Sequence, residues 1–380
     1  MLLCYVTAGS GHRRAAEAIA TALRERDATL HVDCLDLLGF TPSWLRFGYP
    51  ASYEWLIRHA AGSWALGFHG LDQPAVFDTI RPWRRRWNLA MARRFIESLR
   101  QQPPAVIVTT HFFPADVCAA LRETGVVPSR LVVVVTDLFP HRFWLNAHAD
   151  AIVVGSELTR SLCIERGMPA DRLHALGIPV DPRFVPSRDR AAGRTALGLD
   201  PSRRTILLAG GGMGVGPIRE VALALRRSPH ELIRRAQVVV VCGDNAALTD
   251  ELRAAAQDAP MPIHVFGFVE TMPQLMQASD VLVTKAGGLT VTEALAVGLP
   301  MVLCGNIPGQ EQANAQFLLE QGAALNAANP QHAVGILERL LEQPMEMIQL
   351  SERAHAASRP EAAKAIARDV ILPMLEGTGI

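Results

Sequence analysis

The sequence predicts an α/β protein built of two Rossmann-like, doubly wound domains facing a cleft. Three observations lead to that class. Short β-rich runs alternate with helical patterns along the whole chain. Runs such as Val132-Val133-Val134-Val135 do not alternate apolar with polar, which marks strands buried on both faces, as in parallel sheets. Each half of the chain also opens in the same way, with a strand, a glycine-rich loop and a helix, the pattern of a βαβ unit. A length of 380 residues is comfortable for two domains.

Strands are expected at 2–6, 30–34, 105–109, 131–136, 151–154, 205–209, 238–241, 263–266, 281–284 and 301–304. Helices lie between them. In the stretch 15–24, Ala16, Ile19 and Leu23 recur at helical spacing and form one apolar face. A break falls at 181–204, where Pro182, Pro186, Gly193, Gly198 and Pro201 interrupt any period. It divides the chain into domains at 1–185 and 200–380. Ligands of such sheets bind beyond the carboxyl ends of the strands, so the glycine-rich loops are the places to look for chemistry.

Composition excludes several classes. Lys+Arg and Asp+Glu both number 37, so no global field calls for a nucleic-acid partner. The six cysteines stand singly, with no C-x-x-C pair, so neither zinc nor a disulfide framework is indicated, and a reducing cytosol is the expected compartment. The apolar start Met1–Val6 is too short for a signal sequence. No stretch approaches the ~20 apolar residues of a membrane span. Any membrane contact is expected to be peripheral, on the cytoplasmic face.

The first loop, Thr7-Ala8-Gly9-Ser10-Gly11-His12, runs into a helix whose free N–H groups could meet an anion or a polar ligand. Arg14 takes the place of the third glycine of a dinucleotide fingerprint, which counts against a nicotinamide or flavin cofactor. His12, at a sheet's carboxyl edge, suits a general base with a pKa near neutrality. Read alone, the loop is equally a plain βα turn and the histidine a surface residue.

The second loop, Gly210-Gly211-Gly212-Met213-Gly214-Val215-Gly216-Pro217-Ile218, makes sense if backbone must approach a ligand such as a diphosphate. It lacks the Gly-Lys-Ser/Thr ending of a triphosphate-cleaving P-loop. Further on, Lys285-Ala286-Gly287-Gly288-Leu289-Thr290 starts another helix, with Glu293 about one turn in. A carboxylate there can accept both hydroxyls of a ribose, or simply favour the helix dipole. Gln310 and Glu311 follow a strand and offer donors and acceptors suited to sugar hydroxyls.

Gly-Ser-Gly-His-Arg at 9–13, the loop at 210–218, Lys-Ala-Gly-Gly-Leu-Thr-Val-Thr-Glu at 285–293 and Pro-Gly-Gln-Glu-Gln-Ala-Asn at 308–314 together resemble the monogalactosyldiacylglycerol synthase and processive diacylglycerol glucosyltransferase family. Thr136-Asp137-Leu138-Phe139-Pro140-His141 with Trp144, and Gly177-Ile178-Pro179-Val180, are similar to the same family. The resemblance implies a GT-B fold, with a UDP-sugar donor on the C-terminal domain and a diacylglycerol-type acceptor on the N-terminal domain. It implies that His12, beside Gly11, is the base; Asp137, at the end of another N-terminal strand, is the competing carboxylate. Glu293 then holds the ribose, Phe268 and Val269 flank the uracil, and Gln310 and Glu311 touch the donor sugar. Backbone N–H groups at Gly211, Gly212, Met213, Gly214, Gly287, Gly288, Leu289 and Thr290 face the diphosphate. Neither a metal nor another cofactor is implied, since no D-x-D pair stands near the donor loops. Plant galactosyl members carry Pro within the glycine pair where this chain has Gly287-Gly288, which inclines the donor toward glucose.

Most of the tryptophans crowd into 44–87, followed by Arg81-Pro82-Trp83-Arg84-Arg85-Arg86-Trp87. On one helix, Trp83, Trp87, Met91 and Phe95 share a face, with Arg84, Arg85 and Arg86 beside or opposite it. An aromatic face and a basic face suit an anionic membrane surface. Packing inside the N-terminal domain is the other reading. Two different functions also fit the fold, a UDP-N-acetylglucosamine epimerase-like isomerase and a non-catalytic UDP-sugar sensor.

Overall fold

Unbroken Val/Ile/Leu runs fold as expected, into strands covered on both faces. In the computed structural model, which describes residues 1–7 and 9–377, the first sheet contains β1 (Leu2–Tyr5), β2 (Asp33–Asp36), β3 (Val106–Thr109), β4 (Arg130–Val134), β5 (Ala151–Val153) and β6 (Leu173–His174). Ala8, in the first glycine loop, and residues 378–380 lie outside the described residues. All pairs are parallel, in the order β2-β1-β3-β4-β5-β6. Val132, Val133 and Val134 are fully buried. The helix Gly11–Arg26 after β1 lays Ala15, Ala16, Ile19 and Leu23 on the sheet, which fits the spacing read from the sequence.

The second sheet contains β7 (Thr205–Ala209), β8 (Gln237–Val241), β9 (Ile263–Phe266), β10 (Val281–Thr284), β11 (Met301–Cys304) and β12 (Ala324–Ala327). It is also wholly parallel, in the order β12-β11-β10-β7-β8-β9. The winding direction reverses between β1 and β3 in the first sheet and between β7 and β10 in the second. At such a reversal neighbouring βα loops diverge and leave a crevice.

Three features differ from the sequence reading. β2 lies at Asp33–Asp36 rather than 30–34, because its register is set by pairing of Leu2–Tyr5 with that segment at the sheet edge. Edge strands β6 and β12 carry no long apolar run, the signal that marked the others. The C-terminal end also leaves the second domain. The two compact units divide at Pro182/Arg183, and the chain from Arg359 onward groups with the first unit. There Ala363, Ile366, Val370 and Ile371 join Ile19 and Leu23 in one apolar cluster. Burial of that stripe, worth ~25 cal/mol per Å², takes the tail to the helix at Gly11–Arg26.

The aromatic segment forms helices at Ser43–His59, Ala61–Leu71, Pro74–Met91 and Arg93–Gln101. The continuous face expected through Phe95 does not form. The helix ends at Ala92, whose φ of −95° and ψ of 19° leave the helical region, and the next helix turns Phe95 fully into the core while Trp83 stays 70% exposed. No helix among the described residues is long and apolar enough to cross a membrane.

Candidate active site

In the first unit the reversal point brings together residues that follow β1, β3 and β4. Gly9 takes φ 86°, a left-handed turn that glycine adopts without strain, and His12 falls in the first turn of the helix beyond. Its Nδ1 lies 2.7 Å from the Thr110 carbonyl oxygen. A carbonyl only accepts, so Nδ1 carries the proton and Nε2 keeps its lone pair. The Thr136 hydroxyl stands 3.0 Å from the same Nδ1. The Thr110 hydroxyl donates back to the His12 carbonyl at 2.7 Å. Burial lowers the His12 pKa to about 4, against the opposing effect of the Thr110 carbonyl. The near-neutral value expected from sequence is therefore corrected downward; the side chain is neutral at pH 7.

Asp137 is buried and accepts a hydrogen bond from the Trp144 indole at 3.2 Å. Residues 308–310 group with this unit, and the Gln310 amide donates to Asp137. Sequence reasoning missed Thr110 and His111. Their signal was a polar Thr-Thr-His run at the end of an apolar strand, in the place that His12 holds after β1.

In the second unit the reversal point carries the glycine-rich loops that follow β7 and β10. A small pocket lies there, lined by Ala209, Gly216, Pro217, Thr284 and Lys285 among others. Not all the loop's glycines serve a ligand. A Cβ on Gly214, at φ 60°, would stand 2.0 Å from the Cys242 carbonyl oxygen, so this glycine lets two loops pack backbone to backbone. Gly211, also left-handed at φ 71°, has open space around its Cβ position. Gly214→Ala is therefore expected to lower the melting temperature clearly more than Gly211→Ala, whose cost is the left-handed backbone alone, ~1–2 kcal/mol. Calorimetry giving equal losses would refute the packing role.

Gly287 precedes the helix Gly288–Val297 and supplies no side-chain cap, so the first N–H groups there are available to an anion. Asn306 accepts from the Ala286 N–H at 2.8 Å, and Asn314 donates to the Ala286 carbonyl at 3.1 Å; these two bonds fix the turn. Lys285, one of only two lysines in the chain, was not singled out from sequence. It pairs with Glu311, whose other oxygen accepts the Ile307 N–H at 2.9 Å. Glu311, placed by resemblance among the donor-sugar contacts, thus also holds the lysine at the pocket wall. Glu293 is buried, at 3% exposure, while Phe268 after β9 is 44% exposed. Among the described residues no group of three or more His, Cys, Asp or Glu is placed to hold a metal ion.

The basic face expected at 84–86 is corrected. Arg84 is turned inward: it reaches Asp116 at 3.1 Å, Asn88 donates to the other carboxylate oxygen at 2.6 Å, and its guanidinium lies 4.4 Å from the Phe143 ring centre. Arg85 pairs with Glu123. The Arg84 guanidinium, released from Asp116, would be poorly solvated here, so Arg84 serves packing, whereas Arg85 makes its pair at the surface. Arg86 is exposed and lies over Trp83. Trp83, Trp87, Trp44, Phe47 and Trp55 are each more than half exposed.

Two Rossmann-type units with wholly parallel sheets, each with polar groups gathered at its reversal point, are the architecture of the GT-B fold. Residues 12–180 match the monogalactosyldiacylglycerol synthase family model, and residues 205–370 match the glycosyltransferase family 28 C-terminal domain. A probable monogalactosyldiacylglycerol synthase 2 of Oryza sativa subsp. indica is 30% identical over 384 aligned positions, covering 97% of this chain and 80% of the relative. The processive diacylglycerol beta-glucosyltransferase of Bacillus cereus is 26% identical, covering 96% and 91%. Among solved structures, MurG of Acinetobacter baumannii superposes with a TM-score of 0.60 at 16% identity, covering 97% and 98%. The chain belongs to the monogalactosyldiacylglycerol synthase family.

Proposed function

We propose that the protein is an inverting hexosyltransferase that moves glucose or galactose from a UDP-sugar to a diacylglycerol-type lipid at a membrane surface. The observation that carries the reading is the His12 tautomer: Nδ1–H is held by the Thr110 carbonyl, which leaves Nε2 bare to take a proton. In the reaction His12 removes the acceptor hydroxyl's proton. The oxygen attacks the anomeric carbon from the face opposite the UDP, the carbon–phosphate oxygen bond breaks, and UDP departs with inversion. N–H groups at the start of the helix Gly288–Val297 and in the loop at 211–213 stabilise the diphosphate charge, and Lys285, held at the pocket wall by Glu311, offers a further N–H donor. Glu293 holds the ribose. The test is a panel of UDP-sugars against diacylglycerol, ceramide and polyprenyl acceptors, with products read by mass spectrometry. An epimerised UDP-sugar formed without lipid would favour the isomerase, and no product from any pair would favour the sensor.

The exposed tryptophans support peripheral binding to an anionic bilayer. Replacing Trp83 and Trp87 by Ala is expected to weaken sedimentation with anionic vesicles. Arg86→Glu is expected to do the same by ~1 kcal/mol or more, with salt screening the difference. Arg84→Glu should act differently, lowering thermal stability by breaking its pair with Asp116. Equal sedimentation of wild type and tryptophan variants at low salt would remove the helix from the membrane contact.

A further inference from the structure

We propose that His111 binds the lipid acceptor beside the base, donating a hydrogen bond from Nε2 to the ester oxygen next to the reacting hydroxyl, and so selects a glycerolipid over a simple alcohol. The inference rests on the reading of His12 as base. His111 follows β3 as its first residue beyond Thr110 and is 2% exposed. Its Nδ1 accepts the Phe113 N–H at 3.0 Å and caps the helix Phe112–Glu123. A nitrogen that accepts cannot carry the proton, so the neutral ring has its hydrogen on Nε2. His12 is fixed in the opposite tautomer. The two rings stand 4.6 Å apart, edge to face at 83°.

Burial, and then the charge His12 would carry, keep His111 well below the ordinary histidine pKa. At pH 7 the pair therefore offers one bare nitrogen and one N–H on rings 4.6 Å apart. That is the complement of a hydroxyl with an adjacent ester oxygen, which offers one donor and one acceptor. The Nε2 hydrogen of His111 makes no hydrogen bond among the described residues, and Nε2 is not among the buried polar atoms left without a partner, so this donor is open to an incoming acceptor. Phe112, 4.1 Å from His111 between ring centres, and Trp144 at 6.4 Å give this spot an apolar wall, which suits a glycerol carrying acyl chains rather than a free sugar or water.

The test uses the full-length enzyme and His111→Asn, whose side-chain oxygen keeps the helix cap while the ring N–H is lost. Dioleoylglycerol and oleyl alcohol are compared in the same micelles. Where the alcohol turns over too slowly, its inhibition constant against dioleoylglycerol replaces kcat/KM. His111→Asn is expected to lower kcat/KM for dioleoylglycerol about tenfold, the scale of one hydrogen bond, and to leave the alcohol within about twofold. UDP affinity should hold. An equal loss on both acceptors, or no loss on dioleoylglycerol, overturns the proposal. The two readings fail separately. A His12→Ala enzyme that keeps its turnover sinks the base assignment, whereas unchanged acceptor preference in His111→Asn sinks this inference alone.

Discussion

His12→Ala is expected to cut turnover by roughly 10²–10⁴-fold, the range for loss of a general base, with UDP affinity close to wild type. The base must be neutral to act, so the rate should fall as pH drops through the His12 pKa. Burial sets that value at about 4, and the acid limb of kcat/KM should lie there instead of at pH 6–7. Stability complicates the same pH window in a definite direction. His12 and His111 both have folded pKa values below the unfolded value of ~6.5. Below ~6.5 the unfolded chain binds more protons, so stability is lost as pH falls from there toward about 4. Melting temperatures across that range separate unfolding from the kinetic limb. In His12→Ala the kinetic limb should vanish. If His12→Ala keeps most of its turnover while Asp137→Ala is inactive, the base is Asp137, which the Trp144 indole already holds in place.

Legibility in the sequence followed burial. Strands β7, β10 and β11 lie where their apolar runs put them, because a strand covered on both faces is apolar almost throughout. The edge strands β2, β6 and β12 are held by pairing on one side, and Asp33, His174 or Asn326 can sit in them. Spacing along one element was equally readable, as with Ile19 and Leu23. Contacts between distant elements were not. Arg84 looked like one of three free arginines, and only the approach of Asp116 from another helix turns it inward. The tail looked like part of the second domain until Ile366 and Val370 found the first helix. At the site, His12 was visible beside its glycines. The carbonyl that sets its tautomer comes from residue 110, and no local pattern announces it.

Glu293→Ala is expected to raise the UDP dissociation constant by about 10²–10⁴-fold. Glu293 sits in the helix Gly288–Val297, which begins at the β7/β10 reversal point, and it is 3% exposed. A ribose bound there would give it two hydroxyl donors. Hydrogen bonds to a charged group are worth ~1.5–3 kcal/mol each, and every 1.4 kcal/mol is tenfold in affinity. Because a buried carboxylate can also hold the fold, Glu293→Gln is the companion variant: it keeps the volume and loses the charge, and it should fall between wild type and Ala. The ligand supplies the sharper contrast. Wild type should bind 2′-deoxy-UDP more weakly than UDP by calorimetry, while Glu293→Ala should hardly distinguish the two, since the partner of the missing hydroxyl is already gone. A variant that still prefers UDP over its deoxy analogue as strongly as wild type would take Glu293 out of the ribose site, whatever its melting temperature.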